Sequence, residues 1–213
     1  MHKLIKISFF SGIFLCITAI LVILATYIYI KPDLPEISLV DESELQMPLK
    51  VFTKDRVLIG EFGEIKRRAT NYEEIPKNIK NAFLAAEDDN FFNHQGISYK
   101  GLIRSFIRCL RPSGCQGGGG TITMQVVRGY LLTRDQTVIR KIKEIYLALE
   151  LEGISNKEEI FELYVNRIFL GNRSYGIEAA SNTYFDKGLE DLTLSESATI
   201  AALAQLPSRI NPV

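Results

Sequence analysis

The stretch Glu87 to Gly96, EDDNFFNHQG, decides how the rest of the chain is read. Upstream of it, Ile79, Phe83 and Ala86 recur at helical spacing after Pro76, a residue suited to a helix's first turn, so Glu87 ends an apolar helical face. Asp88 and Asp89 follow directly, then Phe91, Phe92 and His94, the one histidine beyond His2. A carboxylate at the end of an apolar face, beside two others, has the surroundings that make a proton acceptor useful near neutral pH. On residue type alone, a solvated helix end is the plain alternative.

Working outward, the helical period continues through Tyr99 to Leu110, Thr121 to Leu132, Thr137 to Glu152, Asn156 to Phe169, Ile177 to Tyr184 and Thr193 to Gln205. Ser155 or Asn156 caps the helix that carries Glu158 and Glu159 in its first turn. Leu49 to Thr53 and Arg56 to Glu61, rich in branched or aromatic residues, flank Lys54 and Asp55 and read as a short β-hairpin. The pattern predicts a mainly α domain entered by one hairpin.

Ahead of that domain, Ile7 to Ile30 is an uncharged run, ISFFSGIFLCITAILVILATYIYI. As a helix it would be about 36 Å long, more than the ~30 Å hydrocarbon core of a bilayer. Lys3 and Lys6 precede it, so the positive-inside tendency puts residues 1–6 in the cytoplasm, 7–30 through the membrane and the remainder outside. A cleavable signal peptide is the rival reading, but Tyr27, Tyr29, Lys31 and Pro32 stand where a small-residue cleavage site belongs. Residues 31–47 read as a linker, and 48–213 as one domain that buries on the order of 70% of its unfolded surface.

Lysine and arginine total 25 and so do aspartate and glutamate, leaving no net charge and no global attraction for nucleic acid. Cys16 lies in the apolar run. Cys109 and Cys115 flank a short turn in a domain expected outside the cytoplasm, where a disulfide and two unrelated thiols are both open. No second histidine or acidic cluster completes a metal ligand set at zinc-like spacing.

Two more blocks carry chemistry. Gly117 to Gln125, GGGGTITMQ, sets backbone N–H groups and the hydroxyls of Thr121 and Thr123 at a helix start, an arrangement that receives phosphate oxygens, although a glycine run before a helix is also an ordinary loop. Arg140 to Glu144, RKIKE, lies on a helix whose apolar stripe is read as Ile139, Ile142, Tyr146 and Leu149, which puts Arg140, Lys141, Lys143 and Glu144 beside the core rather than in it. An i, i+4 pair of Arg140 with Glu144 is the plain alternative, worth only a few tenths of a kcal/mol.

Taken in order, these blocks, with KEEIFELYVNRIFLG from Lys157 to Gly171 and PLKVFTKDRVLIGEFGEIKRR from Pro48 to Arg68, resemble the peptidoglycan glycosyltransferases of glycosyltransferase family 51. The wording is closest to the N-terminal half of class A penicillin-binding proteins. The resemblance implies a lysozyme-like glycosyltransferase head with a small membrane-proximal jaw at Ile97 to Gln116, polymerising lipid II into β-1,4 strands with anomeric inversion. It implies Glu87 as the base for the acceptor's 4-hydroxyl, with Asp88, Phe91, His94 and Gly96 in support, and Glu144 as a second functional carboxylate. Arg104, Thr121, Thr123, Gln125, Arg128, Arg140, Lys141 and Lys143 then line the donor side, while Tyr164 and Asn166 build the cleft wall. It further implies the cytoplasmic membrane, lipid II and the growing strand as partners, a separate transpeptidase, magnesium or manganese shared with the donor's pyrophosphate, and no organic cofactor.

The leaving group favours transfer over hydrolysis. A glycosidase must protonate a sugar oxygen and needs two carboxyl groups at a set separation, whereas a lipid pyrophosphate leaves without that proton and needs positive charge instead. Departures from the resembling pattern are Gly120 in place of the usual Ser, Gly129 in place of Asn, and Gln136 in place of a basic residue. One lost buried hydrogen bond costs ~1–3 kcal/mol, roughly tenfold to a hundredfold in rate when the bond acts in the transition state. Resembling proteins also continue past the Asn-Pro of Asn211 and Pro212, so the chain reads as C-terminally truncated and without a transpeptidase domain. The alternative expectation is a catalytically impaired remnant that binds lipid II or partners without turnover.

Overall fold

In a computed structural model of the chain, the described residues are 10, 12, 14, 17–18, 21–22, 24–37, 49–55, 58–62, 69–109, 120–133 and 137–205. The chain divides into two compact units, residues 1–36 and 37–213. In the first, residues 24–30 are helical and run into a 3-10 turn at Lys31–Asp33. Pro32 in that turn lacks the N–H that a continuing helix requires. Phe14, Leu21, Val22, Leu24 and Ile28 are each more than half exposed. Among the described residues no helix is long and apolar enough to cross a membrane, and much of the span expected at 7–30 lies outside them.

The second unit is predominantly helical. Strands β1 (Leu49–Phe52) and β2 (Leu58–Phe62) pair antiparallel, Leu49 opposite Phe62, with a shift of register between Val51 and Phe52. Among the described residues seven α-helices follow: α1 (Lys77–Glu87), α2 (Tyr99–Cys109), α3 (Ile122–Leu131), α4 (Val138–Ile154), α5 (Lys157–Arg167), α6 (Ile177–Phe185) and α7 (Leu194–Gln205). Their starts follow from local side-chain chemistry. Thr121, Thr137 and Asn156 cap α3, α4 and α5 by accepting from the N–H groups of Met124, Arg140 and Glu159. Glu159 completes a capping box at α5. At α7, Thr193 and Glu196 form the same reciprocal pair.

Packing sets α3 between α4 and α5 and α1 against α7. Beneath α5 lies an aromatic cluster, with Phe91 against Phe161 at 6.2 Å between ring centroids and Phe83 edge-on to Tyr164 at 6.0 Å. Phe83, Phe91 and Phe161 are fully buried, and each such ring stabilises the fold by about 1.5–3 kcal/mol. Asn166, also buried, locks Thr70 from both sides, accepting from its N–H at 2.9 Å and donating to its carbonyl at 3.0 Å.

Close backbone approaches require glycine at residues 96 and 176. Gly96 (φ +77°) lies so close to α4 that a β-carbon there would sit 2.9 Å from the Ala148 carbonyl oxygen, and Gly176 (φ +84°) stands in the same relation to the Asn166 carbonyl at 2.9 Å. Gly96 thereby holds the 88–97 loop down on α4. Thr121 donates to the Gly96 carbonyl at 2.5 Å and ties that loop to the start of α3.

One expectation is overturned on α4. The helix buries Glu144, Leu147, Ala148 and Leu151, whereas Ile139 and Leu149 from the expected apolar stripe are 51% and 42% exposed. Residues 144, 147, 148 and 151 are themselves spaced i, i+3, i+4 and i+7, so they form an equally regular face. A fully buried Glu144 lies on it because cations from its own helix neutralise the carboxylate.

Candidate active site

Glu87 is the last residue of α1, half-buried, and Oε2 accepts from Gln125 Nε2 of α3 at 2.7 Å. Its Oε1 is buried without a hydrogen-bond partner. Above the end of α1, Gln205 of α7 donates to the carbonyl of Ala86 at 2.5 Å, which satisfies one of the helix's terminal acceptors. Asp88 is buried and accepts from the Ile122 N–H at 3.2 Å, while His94 Nε2 lies 2.9 Å and 3.1 Å from its two oxygens. Asp88 and His94 thus brace the α1–α3 junction.

Glu144 of α4 meets α3 through Arg128. Its oxygens meet Arg140 Nη1 at 3.0 Å and Lys141 Nζ at 2.9 Å, and Arg128 Nη1 of α3 stands 4.0 Å away. Gln125 and Arg128 are three residues apart on α3 and therefore neighbours on one face. This face joins the two carboxylates: Gln125 holds Glu87 and Arg128 approaches Glu144. Arg128 is partly exposed, so one cation of the group remains open to solvent. A β-carbon at Gly120 would lie 3.8 Å from both Glu144 Oε1 and Lys141 Nζ, which places Gly120 at the edge of the same cluster.

Tyr164 of α5 lies near both groups. Burial first, then the charge of Glu87, pushes its phenol well above the ordinary range, and Arg128 opposes the shift. Its hydroxyl is buried without a partner. Sequence reasoning gave Tyr164 a wall role, and no spacing signal pointed to its sharing the field of Glu87.

Other expected site residues lie elsewhere. Thr121 and Thr123 are buried beneath the site rather than at its surface. The Thr121 hydroxyl caps α3, and that of Thr123 donates to Glu152 at 2.6 Å, where Lys157 also binds at 2.6 Å. Lys143 is half-buried on α4, and Arg104 is exposed on α2 without a hydrogen bond to Glu87 or Glu144. The glycines at 117–119, Gln136, Cys115 and residues 110–116 of the expected jaw lie outside the described residues. No group of three or more His, Cys, Asp or Glu among the described residues is arranged to hold a metal ion.

The fold and site define a helical domain with two carboxylates joined through one helix, the first held by an amide and the second by cations. Residues 55–213 match the family model described as Transglycosylase, and the chain belongs to the transglycosylase family. It is similar to penicillin-binding protein 1A of Pseudomonas aeruginosa, 45% identical over 99% of this chain and 26% of that one. Penicillin-binding protein 1A of Vibrio cholerae is 39% identical over 99% of this chain and 26% of its own. A crystal structure of penicillin-binding protein 1A from Haemophilus influenzae is 32% identical over 79% of this chain and 16% of that chain, with a TM-score of 0.40. The chain thus spans about a quarter of the length of the curated relatives it matches.

Proposed function

We propose that the chain is a peptidoglycan glycosyltransferase that polymerises lipid II. Glu87 Oε1 takes the proton of the acceptor's 4-hydroxyl, whose oxygen attacks the anomeric carbon of the donor sugar. The bond from that carbon to the lipid pyrophosphate breaks, undecaprenyl pyrophosphate leaves, and inversion gives a β-1,4 link. The observation that carries this reading is the asymmetry of Glu87, with one oxygen anchored by Gln125 and the other unpartnered, on a helix face that also presents Arg128. A carboxylate anchored through one oxygen, with the other buried and unpaired, suits a general base.

Charge around Glu144 supports the other half of the reaction. Arg128, Arg140 and Lys141 outnumber the single carboxylate they surround, leaving positive charge to meet a departing pyrophosphate. Magnesium or manganese, shared with the donor's pyrophosphate, would supply further positive charge there. Family membership supports a lysozyme-like head, and a jaw at α2 is supported by exposed Tyr99, Ile103 and Ile107 beside exposed Arg104, a pattern suited to a lipid interface. The reading places the domain outside the cytoplasmic membrane, anchored through residues 7–30.

Lipid II polymerisation by the detergent-solubilised full-length chain, with magnesium, tests the proposal directly. Strands on a gel from wild type and none from Glu87→Gln are the expected result. Lipid II binding by a folded wild type that makes no strands would overturn it in favour of a binding role without turnover.

A further inference from the structure

Gly129 is an exposed residue inside α3, where glycine is less favourable than alanine. The space above its Cα belongs to Arg167, from the last turn of α5: a β-carbon at 129 would stand 3.2 Å from Arg167 Nε and 3.4 Å from its Cδ. Arg167 Nη2 donates to the Gly129 carbonyl, and the guanidinium lies 4.2 Å from the centroid of the Tyr130 ring. Tyr130 reaches back to α5, its hydroxyl donating to the Leu163 carbonyl at 3.4 Å. Since α3 ends at Leu131, the Gly129 carbonyl is among the last four, which have no donor within the helix. A cation at that end also meets the negative pole of the helix dipole.

Arg167 is therefore a cap supplied across the helix interface, and it seats because residue 129 has no side chain. The helix it closes carries Gln125, which holds Glu87, and Arg128, which adjoins Gly129 and approaches Glu144. We propose that Arg167 is a positioning residue: by fixing the end of α3 through bare Gly129, it sets Arg128 against Glu144 and so places the cation that meets the leaving pyrophosphate. The role in turnover rests on the transferase reading, whereas the pairing with Gly129 stands without it.

A double-mutant cycle on the full-length chain tests both parts. Gly129→Ala is expected to lower the melting temperature in the wild type, where the methyl crowds Arg167 at 3.2 Å and weakens its seat on the Gly129 carbonyl. In an Arg167→Ala background the same change is expected to raise it by about 2–4 °C, as helix propensity alone then acts. Additive shifts in the cycle would overturn the pairing. For turnover, Arg167→Ala is expected to lower kcat on lipid II about tenfold with KM nearly unchanged, the pattern of an interaction made in the transition state. Arg167→Lys, which keeps the charge, is expected to recover part of that loss. Thr193→Ala, at the cap of α7, controls for lost stability away from α3. An Arg167→Ala kcat no lower than that of Thr193→Ala overturns the positioning role. Absence of strands from wild type would sink the transferase reading and the positioning role together, and the melting cycle would still decide the pairing.

Discussion

Replacing Glu144 with leucine is expected to unfold the domain more readily, because it leaves two cations without the carboxylate they were folded around. Arg140 at 3.0 Å and Lys141 at 2.9 Å each make a charge-assisted hydrogen bond to a side chain that is fully buried. Such bonds contribute ~1.5–3 kcal/mol apiece, an upper sum of roughly 3–6 kcal/mol. Lys141 is 35% exposed and Arg140 17%, so both recover part of that loss by turning to water. The expected destabilisation is then about 2–4 kcal/mol, equivalent to a fall of roughly 5–15 °C in Tm for a domain of this size. Glu144→Gln keeps the shape and one acceptor oxygen, and is expected to cost about 1–2 kcal/mol. Thermal melting followed by circular dichroism reads both. A leucine variant that melts within about 2 °C of wild type would show instead that α4 is held by its apolar contacts alone.

Two further outcomes follow from local geometry. Gly120→Ser is expected to fold normally, because its β-carbon meets Glu144 and Lys141 at an ordinary 3.8 Å, and to raise the lipid II polymerisation rate up to about tenfold through one added hydrogen bond; a slower enzyme would show that the hydroxyl disturbs the cation cluster. The Glu196 carboxyl is held down at about 2 from 4.5, first by its hydrogen bond from Lys187 and then by those from the N–H and hydroxyl of Thr193. A lowered carboxyl contributes stability above its unfolded value and loses it as pH falls through its folded one. The gap in Tm between wild type and Glu196→Gln is therefore expected to stay constant above pH 4.5 and to close towards pH 2, and a gap that widens with acid would contradict the pairing.

The helices were legible where apolar spacing and cap chemistry agreed. Ser155 or Asn156, ahead of Glu158 and Glu159, marked the start of α5 from residue type, and Asn156 is the residue that caps it. α4 misled because it carries two regular faces, and hydropathy favours the one containing Ile139 and Leu149 over the one containing Glu144. Only the buried partnership of Glu144 with residues three and four positions earlier reverses that choice, and an i, i+4 pair reads in sequence as an exposed one. Thr121 and Thr123 looked like phosphate ligands beside a glycine run, yet a threonine hydroxyl at a helix start serves the helix equally well, as that of Thr121 does, while that of Thr123 is turned to Glu152. Glu87 was legible as the end of an apolar face, while its tie to Gln125 needed the end of α1 to be brought against α3. The contact between Gly129 and Arg167 had no local signal at all, being made between separate helices.

Gly96 and Gly176 have a consequence for descent. Every other amino acid carries a β-carbon, and at both sites that atom would arrive 2.9 Å from a backbone carbonyl. No single codon change there leads to a residue the surrounding chain accepts, however weak the selection on catalysis. At these two positions the backbone geometry alone excludes substitution, whatever catalysis demands elsewhere in the domain.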